Sequence, residues 1–383
     1  MSAAGHSPEG SRLQHALLEP GTLWPLHLRN RLAVAPMTRV TATEDGVPTE
    51  TMAAYYTGYA AGGFGLVVTE GLYTDKAYAQ AYLNQPGIAD DAQARAWVPI
   101  TRAVQADGAK MVAQLMHAGA LSQGSAYRDH AAAPSTVQPK GQQLASYYGQ
   151  GTYGLPREMS EADIEAAVAG FADSARRAVD IAGFDAIEIH GANGYLLDQF
   201  LTEHTNQRTD RWGGDMRERV RLPALVVQRV KASVAGRVPV GIRISQGKVN
   251  DFHAKWSGGE RDAEIVFKSL ADAGVDFLHI TEFQAWQPAF DGNAATLGEL
   301  ARRYAPGVPL IVNGGLHEIS RATEALEAGA NIVSTGRGAL ANPDMPRRLQ
   351  RGDPLREFDG GILGPIADIK QSELQLRTSF ARE

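Results

Sequence analysis

Between Asp185 and Trp212 the chain reads D-A-I-E-I-H-G-A-N-G-Y-L-L-D-Q-F-L-T-E-H-T-N-Q-R-T-D-R-W. An apolar run of strand type delivers His190, Asn193 and Tyr195 to a single loop. The imidazole and the amide can donate N–H hydrogen bonds to a carbonyl oxygen, and the phenol can give up a proton, which together equip a site to polarise and protonate an activated alkene. Taken singly, a histidine here serves as a hydrogen-bonded core residue and an asparagine as a turn former or helix cap. A helix beginning near Asn193 would let His190 and Asn193 converge on one point while Tyr195 reaches past them, which neither a turn nor a cap requires.

Eight short apolar runs bounded by turn residues must position these groups: Leu32–Ala35, Leu66–Val68, Met111–Leu115, Ala186–Ile189, Val238–Ile244, Val275–Ile280, Val308–Val312 and Asn331–Ser334. Such runs read as parallel strands buried on both faces. Helical patterns lie between them, near Thr49–Gly62, Asp90–Asp107, Asp215–Ala235, Arg261–Ala273, Ile319–Ala328 and Pro343–Leu349. The clearest helix starts at Ser160, where S-E-A-D has the form of a capping box with Asp163 in place of Glu, and runs towards Gly183. This alternation predicts an α/β fold, a closed (β/α)8 TIM barrel, in preference to an open doubly wound sheet.

Barrel active sites lie at the C-terminal ends of the strands. The residues found there are Pro36-Met37-Thr38-Arg39, Glu70-Gly71, Gln114 with His117, then His190, Asn193 and Tyr195, Arg243, Thr281-Glu282, Asn313-Gly314-Gly315 and Gly336-Arg337. Gly314-Gly315 and Gly336-Arg337 suit a phosphate, because small residues let backbone N–H groups approach and Arg337 supplies charge; their alternative use is a pair of tight turns with Arg337 bound to a surface carboxylate. Gln114 and Arg243 suit a planar ring rich in carbonyl and N–H groups. For a flavin, a fixed cation also favours the reduced state, with its negative N1–O2 edge; otherwise Arg243 pairs with Glu188 or Glu282. A zinc site built on His117, His190 and His279 is the competing use of the histidines, although no H-x-H pair or carboxylate cluster supports it.

The 383 residues fit one decorated barrel, which spans roughly 200 to over 400 residues. Residues 1–19 are expected to be flexible, L-W-P-L-H-L-R-N-R to form a short hairpin closing the barrel bottom, and 121–157 to form a lid or excursion after strand three, with Tyr147, Tyr148 and Tyr153 on its inner face or on an exposed hairpin. Residues 351–383 are expected as a C-terminal tail. Lys and Arg number 37 against 43 Asp and Glu, a net charge of −6 that argues against nucleic acid or anionic lipid as partner. No cysteine is present, which excludes disulfides, thiolate nucleophiles and iron–sulfur clusters. Without a signal-peptide core or a run approaching about 18 apolar residues, the expected location is the cytoplasm. A monomer or a homodimer is expected.

Six motifs, in order, resemble those of the Old Yellow Enzyme family of flavin-dependent ene-reductases: R-N-R-L-A-V-A-P-M-T-R (29–39), Y-Y-T-G-Y-A-A-G-G-F-G-L-V-V-T-E-G (55–71), V-A-Q-L-M-H-A-G (112–119), H-G-A-N-G-Y-L-L-D-Q-F-L (190–201), N-Q-R-T-D-R-W-G-G (206–214) and G-R-G-A-L-A-N-P-D (336–344). The resemblance spans about Pro20 to Leu349. It implies non-covalent FMN, with Thr38 beside the ring, Gly71 and Gln114 at the pyrimidine edge, Arg243 at N1–O2, and Gly315, Gly336 and Arg337 on the phosphate; Pro36, Met37, Asn313 and Gly314 complete the cofactor site. It also implies that His190 and Asn193 hold the substrate oxygen, that Tyr195 protonates the alkene, that Met116 borders the substrate, and that NADH or NADPH is the reductant. Ala120 stands where the family often has Arg, Gly58-Tyr59 where Gln-Arg is common, and F-D-G-G-I-L-G-P replaces an aromatic-rich C-terminal segment. The expected activity is NAD(P)H-dependent reduction of enones, maleimides or nitroalkenes. The rival functions are a flavin-binding diaphorase or sensor without alkene turnover, and a metal-dependent hydrolase.

Overall fold

The computed structural model describes residues 15–23 and 25–380. Residues 1–14, on which most of the expected N-terminal flexibility falls, lie outside the described residues. Eight parallel strands form the barrel: β1 (Leu32–Val34), β2 (Leu66–Val68), β3 (Lys110–Met116), β4 (Ala186–Asn193), β5 (Val240–Lys248), β6 (Phe277–Thr281), β7 (Leu310–Asn313) and β8 (Ile332–Thr335). Each pairs with the next, β8 pairs with β1, and the ring is closed. The alternative of an open sheet is therefore not the one adopted.

The helices between strands are α1 (Glu50–Ala61), α2 (Asp91–Ala106), α3 (Glu161–Arg177), α4 (Arg221–Val234), α5 (Glu260–Asp272), α6 (Leu297–Tyr304), α7 (Ile319–Glu327) and α8 (Met345–Arg351). Local chemistry fixes several starts. Thr49 and Asp90 accept backbone N–H groups as N-caps, and Ser160 with Asp163 closes the anticipated capping box. The helix anticipated over Asp215–Ala235 is instead two: a short Met216–Arg219 segment capped by Asp215, and α4, whose first turn holds Pro223, where no N–H is needed. Helix α6 was not anticipated at all, although Thr296 and Glu299 form a second capping box.

The hairpin Gly21–Leu23/Leu26–Leu28 is present. Its Leu23 and Leu28 pack with inward-facing Ala33, Leu66, Val68, Val112, Ala186, Phe277, Ile311 and Ile332, so it plugs the N-terminal end of the barrel. Residues counted as a tail contain a further helix, Gln371–Phe380, packed on α1. A Cβ at Gly58 would lie 2.5 Å from the Arg377 side chain, whose guanidinium sits 4.5 and 4.6 Å from the centroids of Tyr55 and Tyr59. The unusual Gly58-Tyr59 pair therefore makes room and a ring face for a C-terminal arginine. Among the described residues no helix is long and apolar enough to cross a membrane.

Candidate active site

With the hairpin at its bottom, the barrel carries a cavity of about 520 Å³ at the strand C-termini. Pro36, Met37, Thr38, Gly71, Gln114, Met116, His190, Asn193, Tyr195, Arg243, Asn313, Gly314, Gly315, Gly336 and Arg337 all line it. A larger cavity, about 790 Å³, lies behind the Gly194 loop and contains none of these side chains. Chemistry rather than volume distinguishes the two.

Strand β4 continues through Asn193, and the helix that follows, Leu196–Leu201, begins three residues later than anticipated, with Tyr195 as its N-cap residue. Asn193 instead ends the strand in the left-handed region at φ 61°, a conformation asparagine tolerates better than most residues. Its backbone N–H donates to Ser245 Oγ at 2.8 Å, and the N–H of Gly194 donates to Asp198 Oδ2 at 2.6 Å. Asp198 Oδ1 is paired with Lys248 Nζ at 2.7 Å, both side chains buried. The turn is thus held by a buried ion pair, and the Asn193 amide makes no hydrogen bond to another described residue.

His190 is buried, and the N–H of Ala192 donates to its Nδ1 at 3.3 Å. That bond assigns the proton to Nε2, which leaves a donor for a ligand. Burial, and then the nearby charge of Arg243, hold the imidazole well below its ordinary pKa, so the ring is neutral at pH 7. Tyr195 packs against it edge-on with centroids 4.9 Å apart. The Tyr195 hydroxyl shares a short hydrogen bond with that of Tyr82. Burial raises the Tyr195 pKa above the ordinary phenol value while the Tyr82 hydroxyl pulls it down. Tyr82 stacks on Tyr147, whose ring centroid is 4.8 Å away.

Arg243 is buried and donates through Nη2 to Thr281 Oγ1 at 3.0 Å and Asn313 Oδ1 at 2.8 Å. Direct pairing with Glu188 or Glu282 does not occur: Glu188 accepts from Gln114, and Glu282 from the backbone of Gln246. Burial lowers the guanidinium pKa to about 10, which still leaves it charged. Its Nε is buried without a partner among the described residues, an orphan donor that a ligand in the cavity would relieve.

At the other end, Gly314 and Gly315 adopt φ 135° and 69°, and an added Cβ would fall 2.0 Å from the Glu282 carbonyl oxygen and 2.6 Å from the Trp286 ring. Only glycine fits, so bare backbone faces the cavity. Arg337 is exposed, 5.7 Å from the Phe283 ring centroid, and pairs with no carboxylate among the described residues. The histidines considered for zinc are apart in role: His279 lies inside the barrel against Glu188 and Ser334, and His117 accepts from the Gly119 N–H. No group of three or more potential metal ligands occurs among the described residues.

Sequence reasoning missed Tyr82, which lies in irregular chain between β2 and α2, and the Asp198–Lys248 pair, which joins the helix after β4 to the end of β5. The segment 121–157 places Leu144 and Tyr147 on the cavity wall; Tyr153 is buried beneath it and Tyr148 is exposed. Leu363, from the unusual F-D-G-G-I-L-G-P stretch, also reaches the wall.

A stretch of bare glycine backbone, a cation and N–H donors at the C-terminal mouth of a parallel barrel suit a cofactor-dependent barrel enzyme. The model of the NADH:flavin oxidoreductase / NADH oxidase family matches residues 16–356, and the chain belongs to this family, the Old Yellow Enzymes. Its members bind FMN and draw on NADH or NADPH, and the protein is an oxidoreductase of this kind. The chain is 36% identical over 347 residues to chanoclavine-I aldehyde reductase of Penicillium roqueforti (strain FM164), covering 88% of this chain and 90% of that protein. It is 32% identical to the probable NADH-dependent flavin oxidoreductase YqiG of Bacillus subtilis (strain 168), covering 88% of each. The solved Old Yellow Enzyme homologue from Zymomonas mobilis superposes with a TM-score of 0.84 at 31% identity, covering 94% of this chain and 98% of that one.

Proposed function

We propose that the protein reduces the C=C bond of activated alkenes, such as enones, maleimides and nitroalkenes, at the expense of NADH or NADPH. The observation that carries this reading is the neutral His190, with its Nε2 proton free, beside the unpartnered Asn193 amide and the protonated Tyr195 in one cavity. The residues present fit FMN: Gly314, Gly315, Gly336 and Arg337 would take its phosphate, Asn313, Pro36, Met37 and Thr38 would flank it, and Gly71, Gln114 and Arg243 would meet the ring. Bound FMN supplies the hydride delivered to the β carbon of the alkene.

His190 and Asn193 hold the substrate's carbonyl or nitro oxygen and meet the negative charge that grows there as hydride arrives. Because His190 is already neutral, it donates without having to lose a proton over the physiological range. Tyr195 gives its proton to the α carbon, and the Tyr82 hydroxyl, bonded to the same oxygen, stabilises the phenolate left behind. Met116, Tyr147 and Leu144 close the apolar sides, with residues 121–157 as the lid that excludes water.

Tyr195→Phe is expected to slow reoxidation by cyclohexenone about 10²-fold while leaving reduction by the nicotinamide unchanged, since only the former step needs this proton. Stopped-flow absorbance of the two half-reactions reads each separately. An equal loss in both would remove Tyr195 from the proton-donor role.

A further inference from the structure

Below the cavity mouth the barrel interior holds a polar layer that the proposed reaction does not use. Glu188 on β4 is fully buried, and both its oxygens are committed. Oε1 accepts from Gln114 Nε2 on β3 at 2.7 Å, and Oε2 meets His279 Nδ1 on β6 at 2.7 Å. His279 Nε2 in turn meets Ser334 Oγ on β8 at 2.8 Å. Burial holds His279 below its ordinary pKa against the pull of Glu188, so the ring is neutral. Its single N–H is best spent at Nδ1 on the carboxylate, with Nε2 accepting from the Ser334 hydroxyl. Burial pushes the Glu188 carboxyl up, but His279, Arg243 and Gln114 together outweigh it and hold the pKa below the ordinary carboxylate value. The layer therefore contains one carboxylate and, on the neighbouring strand, one guanidinium that does not touch it.

Two consequences follow from an ionised Glu188. A carboxylate only accepts, so it pins the NH₂ end of the Gln114 amide to itself and leaves Oε1 for the cavity that Gln114 lines. Turning the amide over would set two acceptors face to face in a dry interior and lose a buried hydrogen bond. Gln114 thus presents a carbonyl, which suits an N–H on a ring edge and repels a ring carbonyl. Glu188 also offsets the positive charge that Arg243 brings to the same level of the barrel.

We propose that Glu188 is a positioning residue of the flavin site: it holds Gln114 with its carbonyl towards the imide N–H of the isoalloxazine and sets the net positive charge that Arg243 presents to the ring. The proposal rests on the FMN site described above. In Glu188→Gln, the new amide can still accept from His279, but its NH₂ then meets the NH₂ of Gln114. While His279 keeps its proton on Nδ1, Gln114 turns and offers the ring a donor where an acceptor was.

The test titrates flavin-stripped protein with FMN by fluorescence quenching and measures the midpoint potential of the reloaded protein. E188Q is expected to bind FMN about tenfold to hundredfold more weakly, the equivalent of one mispaired buried amide, and to show a more positive potential because the counter-charge is gone. The exchanged pair Gln114→Glu with Glu188→Gln keeps the charge and the number of hydrogen bonds, and it again turns an acceptor to the cavity. It is expected to recover most of the lost affinity and return the potential towards that of the native protein. E188Q with native affinity and potential would overturn the proposal. So would a loss that the exchanged pair does not repair, which would make Glu188 a core residue only. Native protein that, once stripped, fails to take up FMN would instead sink the site assignment beneath it.

Discussion

The His190→Ala/Asn193→Ala variant is expected to retain its flavin and to lose alkene reduction by about 10³-fold or more, since removing one such donor alone typically costs about 10²–10³. The expectation follows from where the two donors stand. Neither side chain hydrogen-bonds another among the described residues, His190 Nδ1 is occupied by the Ala192 N–H, and the Asn193 turn is fixed by Ser245 and the Asp198–Lys248 pair rather than by its own amide. Truncating both should therefore leave the scaffold and the phosphate cradle intact while removing the groups that meet charge on the substrate oxygen. Steady-state turnover with cyclohexenone, together with the visible spectrum, checks both halves of the statement. Unchanged turnover would mean that the substrate oxygen is held elsewhere.

The second large effect concerns stability. Arg39 follows directly on Thr38 at the end of β1 and is fully buried, with Nη1 and Nη2 donating to Glu373 Oε2 at 2.8 Å and Oε1 at 2.5 Å. Two further donors, on Nε and Nη2, reach the carbonyls of Ala367 at 3.0 Å and Asp368 at 2.9 Å. Removing Arg39 leaves the buried Glu373 facing only the more distant Arg377 guanidinium among the described residues, 3.9 Å away, so Arg39→Ala is expected to lower the unfolding free energy by about 3–5 kcal/mol. Ala367 N–H donates to Ser146 O at 2.8 Å, so the same change should loosen the wall that carries Tyr147. Urea unfolding measures the loss. An Arg39→Ala loss below about 1 kcal/mol, the range of an exposed pair, would contradict the account.

These examples show which physical signals a sequence carries. The eight strands were legible because a parallel strand buried on both faces must be a continuous apolar run, and Thr49, Asp90 and Ser160 announced helix starts through capping chemistry. The real β5 runs on to Lys248 through the polar S-Q-G-K, which no apolar pattern reveals, and α6 is a short helix of 8 residues with Gly298 in its first turn. The strand-end residues singled out line the cavity, with Glu70, His117 and Thr281 as the exceptions, because barrel topology alone brings strand ends together. What escaped was non-local: Tyr82 against Tyr195, Lys248 against Asp198, and Arg39 against Glu373 join residues 50 to 334 positions apart. Such pairs have no periodicity to betray them. At Asn193 the turn was one of the two uses the sequence offered, and the left-handed φ of 61° shows that it is the one adopted, with the helix starting at Leu196.

The central claim, that a flavin held at this barrel mouth passes hydride from nicotinamide to an activated alkene, is tested most directly by one anaerobic titration. The purified protein should show a flavin absorption spectrum that bleaches on adding NADH or NADPH and returns on adding cyclohexenone, maleimide or a nitroalkene. A colourless protein that takes up no FMN, or a bleached one that none of these alkenes reoxidises, would contradict it.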